Sequence, residues 1–389
     1  MRLPGTPVRL GAYPAEWIGN PQLAGPGRAA LHRFYLPPTL APLVDDPPEE
    51  VVDFVEDDNR SAIRPDPVVT LDGQPFYLSV KGIGSTIDPY SHRRLDPTLA
   101  AEMTADPEVR RRLATAPTES TGGIVTGELW LRGSPYGGQG LEHATIALDV
   151  SRRADLTDLA GMRIAPVVGV ALLPAALEER LRGIHWYRAY RGRFVQEIRL
   201  VPSNVRIYFH ARATVGHGVA EVFDRFGIGS DARALAFEEN FVRSAIAEMT
   251  LFARTYAPTD GGRATGLEFH DVWLDKDAVL APDGTVYFVD LEGIEPVTVE
   301  RAEVRERVEE QFYRSLYEFM FAFEQIDGER RRRFGGPGSR KRRLEAIAAA
   351  ALAPDPVVRL RGDGRRTELE VRPRGAEEGL WVAFPWLDP

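Results

Sequence analysis

Apolar and polar positions follow two regimes along the chain. Short alternating runs bounded by Pro, Gly and Asp predict strands, and longer runs with apolar residues every three or four positions predict helices. Residues 67–71 and 75–80, joined by Asp72-Gly73, predict a β-hairpin whose second arm ends on Lys81. Residues 141–150, LEHATIALDV, carry apolar side chains at 141, 144, 147 and 148 and predict an amphipathic helix. RIAPVVGVALL (163–173) reads as a buried strand pair or one long strand, followed by a helix near 175–181. RFVQEIRL (193–200) alternates as a strand does and leads through 201–204 into VRIYFH (205–210). A helical pattern runs from about 221 to 256, with its apolar periodicity clearest over 234–256. Another spans 298–326 with Phe312, Leu316, Phe319, Met320 and Phe323 on one face. The tail, 357–384, predicts two or three strands. Residues 1–50, rich in Pro and Gly, predict an irregular arm. Residues 94–121 predict an inserted helical segment with helices over 97–105 and near 108–114, followed by short strands up to Gly140.

The most informative stretch is GLEFHDVWLDKDAVLAPDGTVYFVDLEGIEP, residues 266–296. It predicts a strand ending at His270-Asp271, a loop, and a hairpin with arms at 278–280 and 285–289 around Pro282-Asp283-Gly284. The second arm delivers Asp290, followed by Leu291-Glu292-Gly293. A His-Asp loop, a short hairpin and an Asp-x-x-Gly form the layout with which protein-kinase-like folds hold Mg²⁺ and nucleotide phosphates. Asp277 and Asp290 then provide hard oxygen ligands for Mg²⁺ or Mn²⁺. Lys81, ending a strand beside the glycine-containing loop Gly82-Ile83-Gly84-Ser85, stands where a kinase fold pairs a lysine with phosphates. A strand lysine that only snorkels to solvent has the same local pattern. Glu142 reads either as a helix-dipole residue or as the partner that orients Lys81.

Composition narrows these readings. A chain of 389 residues with 43% hydrophobic content buries a large core. Lys+Arg 48 against Asp+Glu 57, net −9, argues against a nucleic-acid partner. The absence of cysteine excludes disulfides, thiolate metal sites and cysteine nucleophiles. The first residues carry no apolar signal core, and no run approaches the roughly 18 apolar residues of a membrane span, so no membrane partner and a cytoplasmic location are expected. The basic run at 329–343, ERRRRFGGPGSRKRR, reads as a solvated loop between helices or as a site for an acidic partner.

Four segments in order resemble the selenoprotein O family, kinase-fold proteins that transfer AMP to protein hydroxyls. They are FYLSVKGIGSTIDPYSHR (76–93), the glutamate helix with GMRIAPVVGV at 161–170, RLVPSNVR (199–206) and HDVWLDKD (270–277). The last has Val272 two residues after the histidine, as that family does, where ordinary kinases carry a catalytic Asp. Where the family has an acidic residue next to its metal-binding asparagine, this chain has Lys276, with Asp275 one place earlier. Its glycine-rich segment upstream of the lysine and its C-terminal selenocysteine or cysteine have no counterpart here.

The resemblance implies an α+β, bilobal protein-kinase-like fold with a β-rich N-lobe and a helical C-lobe bearing the catalytic hairpin. An irregular N-terminal arm (1–65), an N-lobe (66–215, with the 94–140 insertion), a C-lobe (216–345) and a small C-terminal β appendage (346–389) are the domains expected. It further implies ATP bound through Lys81, Gly82, Gly84, Ser85, Arg93, Glu142, Arg199 and Arg206, with metal on Asp277 and Asp290. Asp271, Asp275 and Lys81 are the catalytic candidates, the two aspartates as bases for a hydroxyl substrate. Three functions remain open at this point: transfer of AMP to a protein hydroxyl, phosphorylation of a protein or small molecule, and a catalytically dead fold that binds nucleotide or a partner.

Overall fold

The computed structural model describes residues 3, 7–23, 32–36, 41–58, 61–83, 94–95, 129–130, 139–182, 192–206, 218–270, 277–336, 340–362, 367–373 and 379–383. Its architecture is mixed α and β, compatible with α+β, and divides into two compact units. Residues 2–156 with 165–204 form a sheet unit; residues 157–164 with 205–389 form a helical unit.

In the sheet unit the strands are β1 (Pro7–Pro14), β2 (Glu16–Gly19), β3 (Arg33–Leu36), β4 (Glu50–Asp58), β5 (Ser61–Leu71) and β6 (Gln74–Lys81). The pair β7 (Arg94–Leu95) and β8 (Leu129–Trp130), then β9 (Gln139–Gly140), β12 (Val167–Leu172) and β13 (Phe194–Val201) complete it. Nine of them make one antiparallel sheet in the order β2-β12-β13-β6-β5-β4-β1-β3, with β9 also on β13. Helices α1 (Leu141–Arg153) and α2 (Ala175–Arg182) belong to the same unit.

The described residues of the arm expected over 1–50 are therefore not irregular throughout, although their Pro and Gly content predicts it; they supply β1, β2 and β3 and lead into β4. In β1, Val8, Leu10 and Ala12 are buried while Pro7 and Arg9 are exposed, the period-2 pattern of a half-buried strand. In β4, Val52 and Phe54 are buried and Val51 and Asp53 exposed. The sheet curls: the Gln196 side chain on β13 accepts from the Tyr35 N–H (2.7 Å) and donates to the Tyr35 carbonyl (2.6 Å), tying the end strand β3 back to a central one. The Asp72-Gly73 hairpin and the strand ending at Lys81 form as expected.

The helical unit opens with β10 (Asp158–Leu159) and β11 (Met162–Arg163), a small hairpin. It continues through α3 (Val219–Arg225), α4 (Asp231–Met249), α5 (Leu251–Thr255), β14 (Ala257–Pro258), β15 (Arg263–Phe269), β16 (Ala278–Leu280), β17 (Val286–Phe288) and β18 (Ile294–Glu300). It ends with α6 (Val304–Phe334), α7 (Arg340–Leu352) and a three-stranded sheet, β19 (Val358–Gly362), β20 (Thr367–Val371) and β21 (Leu380–Ala383). The core between α4 and α6 holds Phe241 stacked on Phe319 at 5.9 Å, with Phe323 beside it.

The long helix differs from the 298–326 expected. Residues 294–300 pair instead with β15 through seven rungs, as β-branched Val297, Thr298 and Val299 favour. A capping box between Glu300 and Glu303 then marks the turn into α6. At its other end the helix runs on into the basic sequence. Arg331 pairs with Asp327, Arg332 and Arg333 with Glu329, and Arg333 also with Asp224. The pairs with Asp327 and Glu329, three and four residues back on the same helix, turn a predicted loop into two further turns of helix. The helices expected over 97–105 and near 108–114 lie outside the described residues.

Candidate functional site

The hairpin expected at 278–289 is present. β16 and β17 pair antiparallel, Ala278 opposite Phe288 and Leu280 opposite Val286. Beyond the last pair, the Val289 N–H donates to the Asp277 carbonyl at 2.8 Å, so Asp290 emerges at the same open end as Asp277. A 3₁₀ turn, Leu291–Gly293, follows and leads into β18. Asp277 is buried; Asp290 and Glu292 are half-buried.

Strands of three residues do not hold themselves together, and this hairpin is fixed from three sides. The Ser244 hydroxyl of α4 accepts from the Val286 N–H at 3.1 Å, and Asn240 donates to the Asp283 carbonyl at 3.0 Å. Gly284 in the turn has φ +92°, and a Cβ there would overlap the Phe237 backbone of α4. The Leu280 N–H donates to the Val205 carbonyl at 2.8 Å, which docks Arg206, itself buried, beside the hairpin. On the far strand, Ile164 bridges to Phe288.

Upstream, β15 ends at Phe269, and the His270 N–H donates to the Gly293 carbonyl at 2.8 Å. This joins the start of the candidate loop to the segment after Asp290. Sequence reasoning missed Glu268. It is fully buried, and Nε of Arg307 on α6 lies 3.2 Å from its carboxylate. Burial raises the Glu268 pKa, against the opposing fields of Arg307, Arg314 and His270. Arg314 also donates to the Phe269 carbonyl at 3.1 Å. Period-2 alternation in β15 was the available signal, since a glutamate at an inward position needs a cation. Asp271 and Asp275 lie outside the described residues.

In the sheet unit, β6 ends on Lys81, and Gly82 follows at φ +97°, a left-handed conformation that glycine adopts without penalty. Lys81 is buried, 1% exposed. Gly84, Ser85 and Arg93 lie outside the described residues.

Glu142 does not take the place expected for it. It forms no ion pair among the described residues and is exposed. Ala144, Ala147, Leu148 and Ser151 bury the opposite side of α1, and at 100° per residue Glu142 points away from that side. The carboxylate that β13 sets directly across from Lys81 is Glu197, fully buried. Arg199, two residues along the same face of β13, is 3.6 Å from Glu197 and also buried.

No protein-family model matches this chain, and no curated protein matches its sequence.

The donor set at the hairpin's open end fits a hard divalent cation. Asp277 and Asp290 are oxygen donors brought to one end by backbone pairing, and Mg²⁺ takes only one or two carboxylates when substrate phosphates and water complete its shell. No group of three or more His, Asp or Glu side chains converges among the described residues. No helix among them is long and apolar enough to cross a membrane.

Proposed function

We propose that this chain is an ATP-dependent transferase that moves AMP from ATP to a hydroxyl of a protein, on a protein-kinase-like framework. The observation that carries the reading is the hairpin rung between Asp277 and Val289, which delivers Asp277 and Asp290 to one end. The resemblance of residues 76–93, 199–206 and 270–277 to the selenoprotein O family supports AMP as the group transferred.

Asp277 and Asp290 would hold Mg²⁺ or Mn²⁺, which supplies neutralisation of the triphosphate charge. Lys81 and Arg199 in the sheet unit, and Arg206 in the helical unit, are assigned to phosphate oxygens. The acceptor oxygen attacks the α-phosphorus, the bond from that phosphorus to the bridging oxygen breaks, and pyrophosphate leaves. The hydroxyl proton passes to a carboxylate, for which Asp271 and Asp275 are the candidates from sequence. A weak base suffices, because transfer at phosphorus depends mainly on positioning and electrostatics.

The test is incubation of the full chain with ATP and Mg²⁺ or Mn²⁺, alone and with a generic protein acceptor, followed by intact-mass analysis. Gain of one AMP on chain or acceptor, absent in Asp290→Ala, is the expected result. Gain of one phosphate would replace this reading with a kinase. No mass change and no thermal shift on adding ATP would overturn the nucleotide reading and leave a binding fold.

A further inference from the structure

We infer that Glu197 is the carboxylate that orients Lys81, and that Ser61, Ser79, Lys81, Glu197 and Arg199 form a phosphate-recognising face on the sheet. This deepens the proposed function and rests on it.

Pairing across three adjacent strands sets these residues side by side. Lys81 on β6 stands opposite Glu197 on β13 and opposite Ser61 on β5, and Arg199 stands opposite Ser79. Partners in an antiparallel ladder project to the same face, so the five share one side of the sheet. All five are buried: Ser61, Ser79 and Glu197 at 0%, Lys81 at 1% and Arg199 at 2% exposure. The other side of the same strands is apolar at Leu78, Val80, Ile198 and Leu200. Packing alone explains the apolar side and not the charged one.

The Ser61 and Ser79 hydroxyls are buried and have no hydrogen-bond partner among the described residues. A buried hydroxyl in that state is costly unless a ligand satisfies it. Lys81 and Arg199 bring two cations to this face, with Glu197 between them on the strand ladder. Hydroxyl donors, a lysine and an arginine on one face are the groups that recognise phosphate oxygens. Glu197 aims Lys81 from the neighbouring strand and does not itself touch phosphate, which makes it a positioning residue.

The experiment measures Mg²⁺-ATP affinity of the full chain by calorimetry for the wild type, Glu197→Gln, Glu197→Asp, Glu142→Gln, Ser79→Ala and Ser61→Ala. Glu197→Gln should weaken binding by at least about tenfold, since truncating one member of a buried charge pair strands the other. Glu197→Asp should recover part of the loss, and Glu142→Gln should bind as the wild type does.

Ser79→Ala and Ser61→Ala keep the proposal testable if Glu197→Gln fails to fold. Each should weaken ATP binding several-fold while keeping or raising the melting temperature, because the buried hydroxyl goes unsatisfied without ligand. Wild-type affinity in the serine variants and Glu197→Gln overturns this inference and leaves the transferase reading standing. A loss in Glu142→Gln that exceeds the loss in Glu197→Gln also overturns it. Absence of ATP binding by the wild type overturns the transferase reading itself.

Discussion

The Val289 N–H donates to the Asp277 carbonyl at 2.8 Å, and this single rung ties the two candidate metal ligands to one backbone geometry. Asp290→Ala should abolish transfer and remove the divalent-ion dependence of stabilisation by ATP. Asp277→Asn retains an oxygen donor but loses a charge, so it should keep turnover while raising the Mg²⁺ concentration needed. Mg²⁺ titration of activity and of the ATP-induced melting shift checks both. Full activity in Asp290→Ala would remove this end of the hairpin from the chemistry.

Gly284→Ala should be among the most damaging single-methyl additions in the helical unit. The new Cβ meets a positive φ and the Phe237 backbone together. Strain of about 1–3 kcal/mol and overpacking of about 1–3 kcal/mol add up to a loss on the order of 3 kcal/mol in denaturant unfolding. A neutral result would mean that the turn is not seated on α4.

The Glu248 carboxyl, buried between α4 and α6, is pushed up to about 8. Burial is the main cause. The Ser315 hydroxyl, which donates to it at 2.9 Å, pulls the other way; Glu318 adds to the rise and Arg314 opposes it. Its folded value exceeds the ordinary 4.5, so the stability tied to its proton is fully present below about 4.5 and is lost as pH climbs to about 8. Glu248→Gln keeps a Ser315 acceptor and does not titrate. Across that window its stability should fall less than that of the wild type, which parallel denaturant titrations at pH 5 and pH 8.5 would reveal.

Arg254 on α5 pairs with Asp355 at 2.6 Å, and the two side chains are 5% and 12% exposed. Asp355 also accepts from the Val357 and Val358 N–H groups at 2.9 Å, fixing the entry to β19. Asp355→Ala strands a buried guanidinium and should cost about 3–5 kcal/mol. Asp355→Asn, which can still accept from both N–H groups, should cost less. Equal losses in the two variants would show that charge contributes little here.

Much of this architecture was legible because it is local. The 278–289 hairpin announces itself through Pro-Asp-Gly between two apolar triplets, and the strand ending at Lys81 through alternation after Asp-Gly. What escaped depends on distant partners. Glu197 looks like any polar residue in RFVQEIRL; only the pairing of β13 with β6 reveals that it faces Lys81. Glu142 attracted attention by lying in a first helical turn, but helical phase turns it outward. The four early strands hid behind Pro and Gly because the partners that satisfy them are far along the chain, as Gln196 is for Tyr35. Arg331–Arg333 read as a loop because a run of like charge conceals the acidic residues three and four positions back that neutralise it.

The seating of the Gly284 turn on α4 also has a kinetic meaning. Two strands of three residues are too short to persist alone, so the hairpin acquires its register from Phe237, Asn240 and Ser244 rather than from its own rungs. Asp277 and Asp290 can then come together only in molecules whose α4 has already formed. Divalent-ion binding to those two carboxylates should lag helix formation during refolding and report a late step in the assembly of this unit.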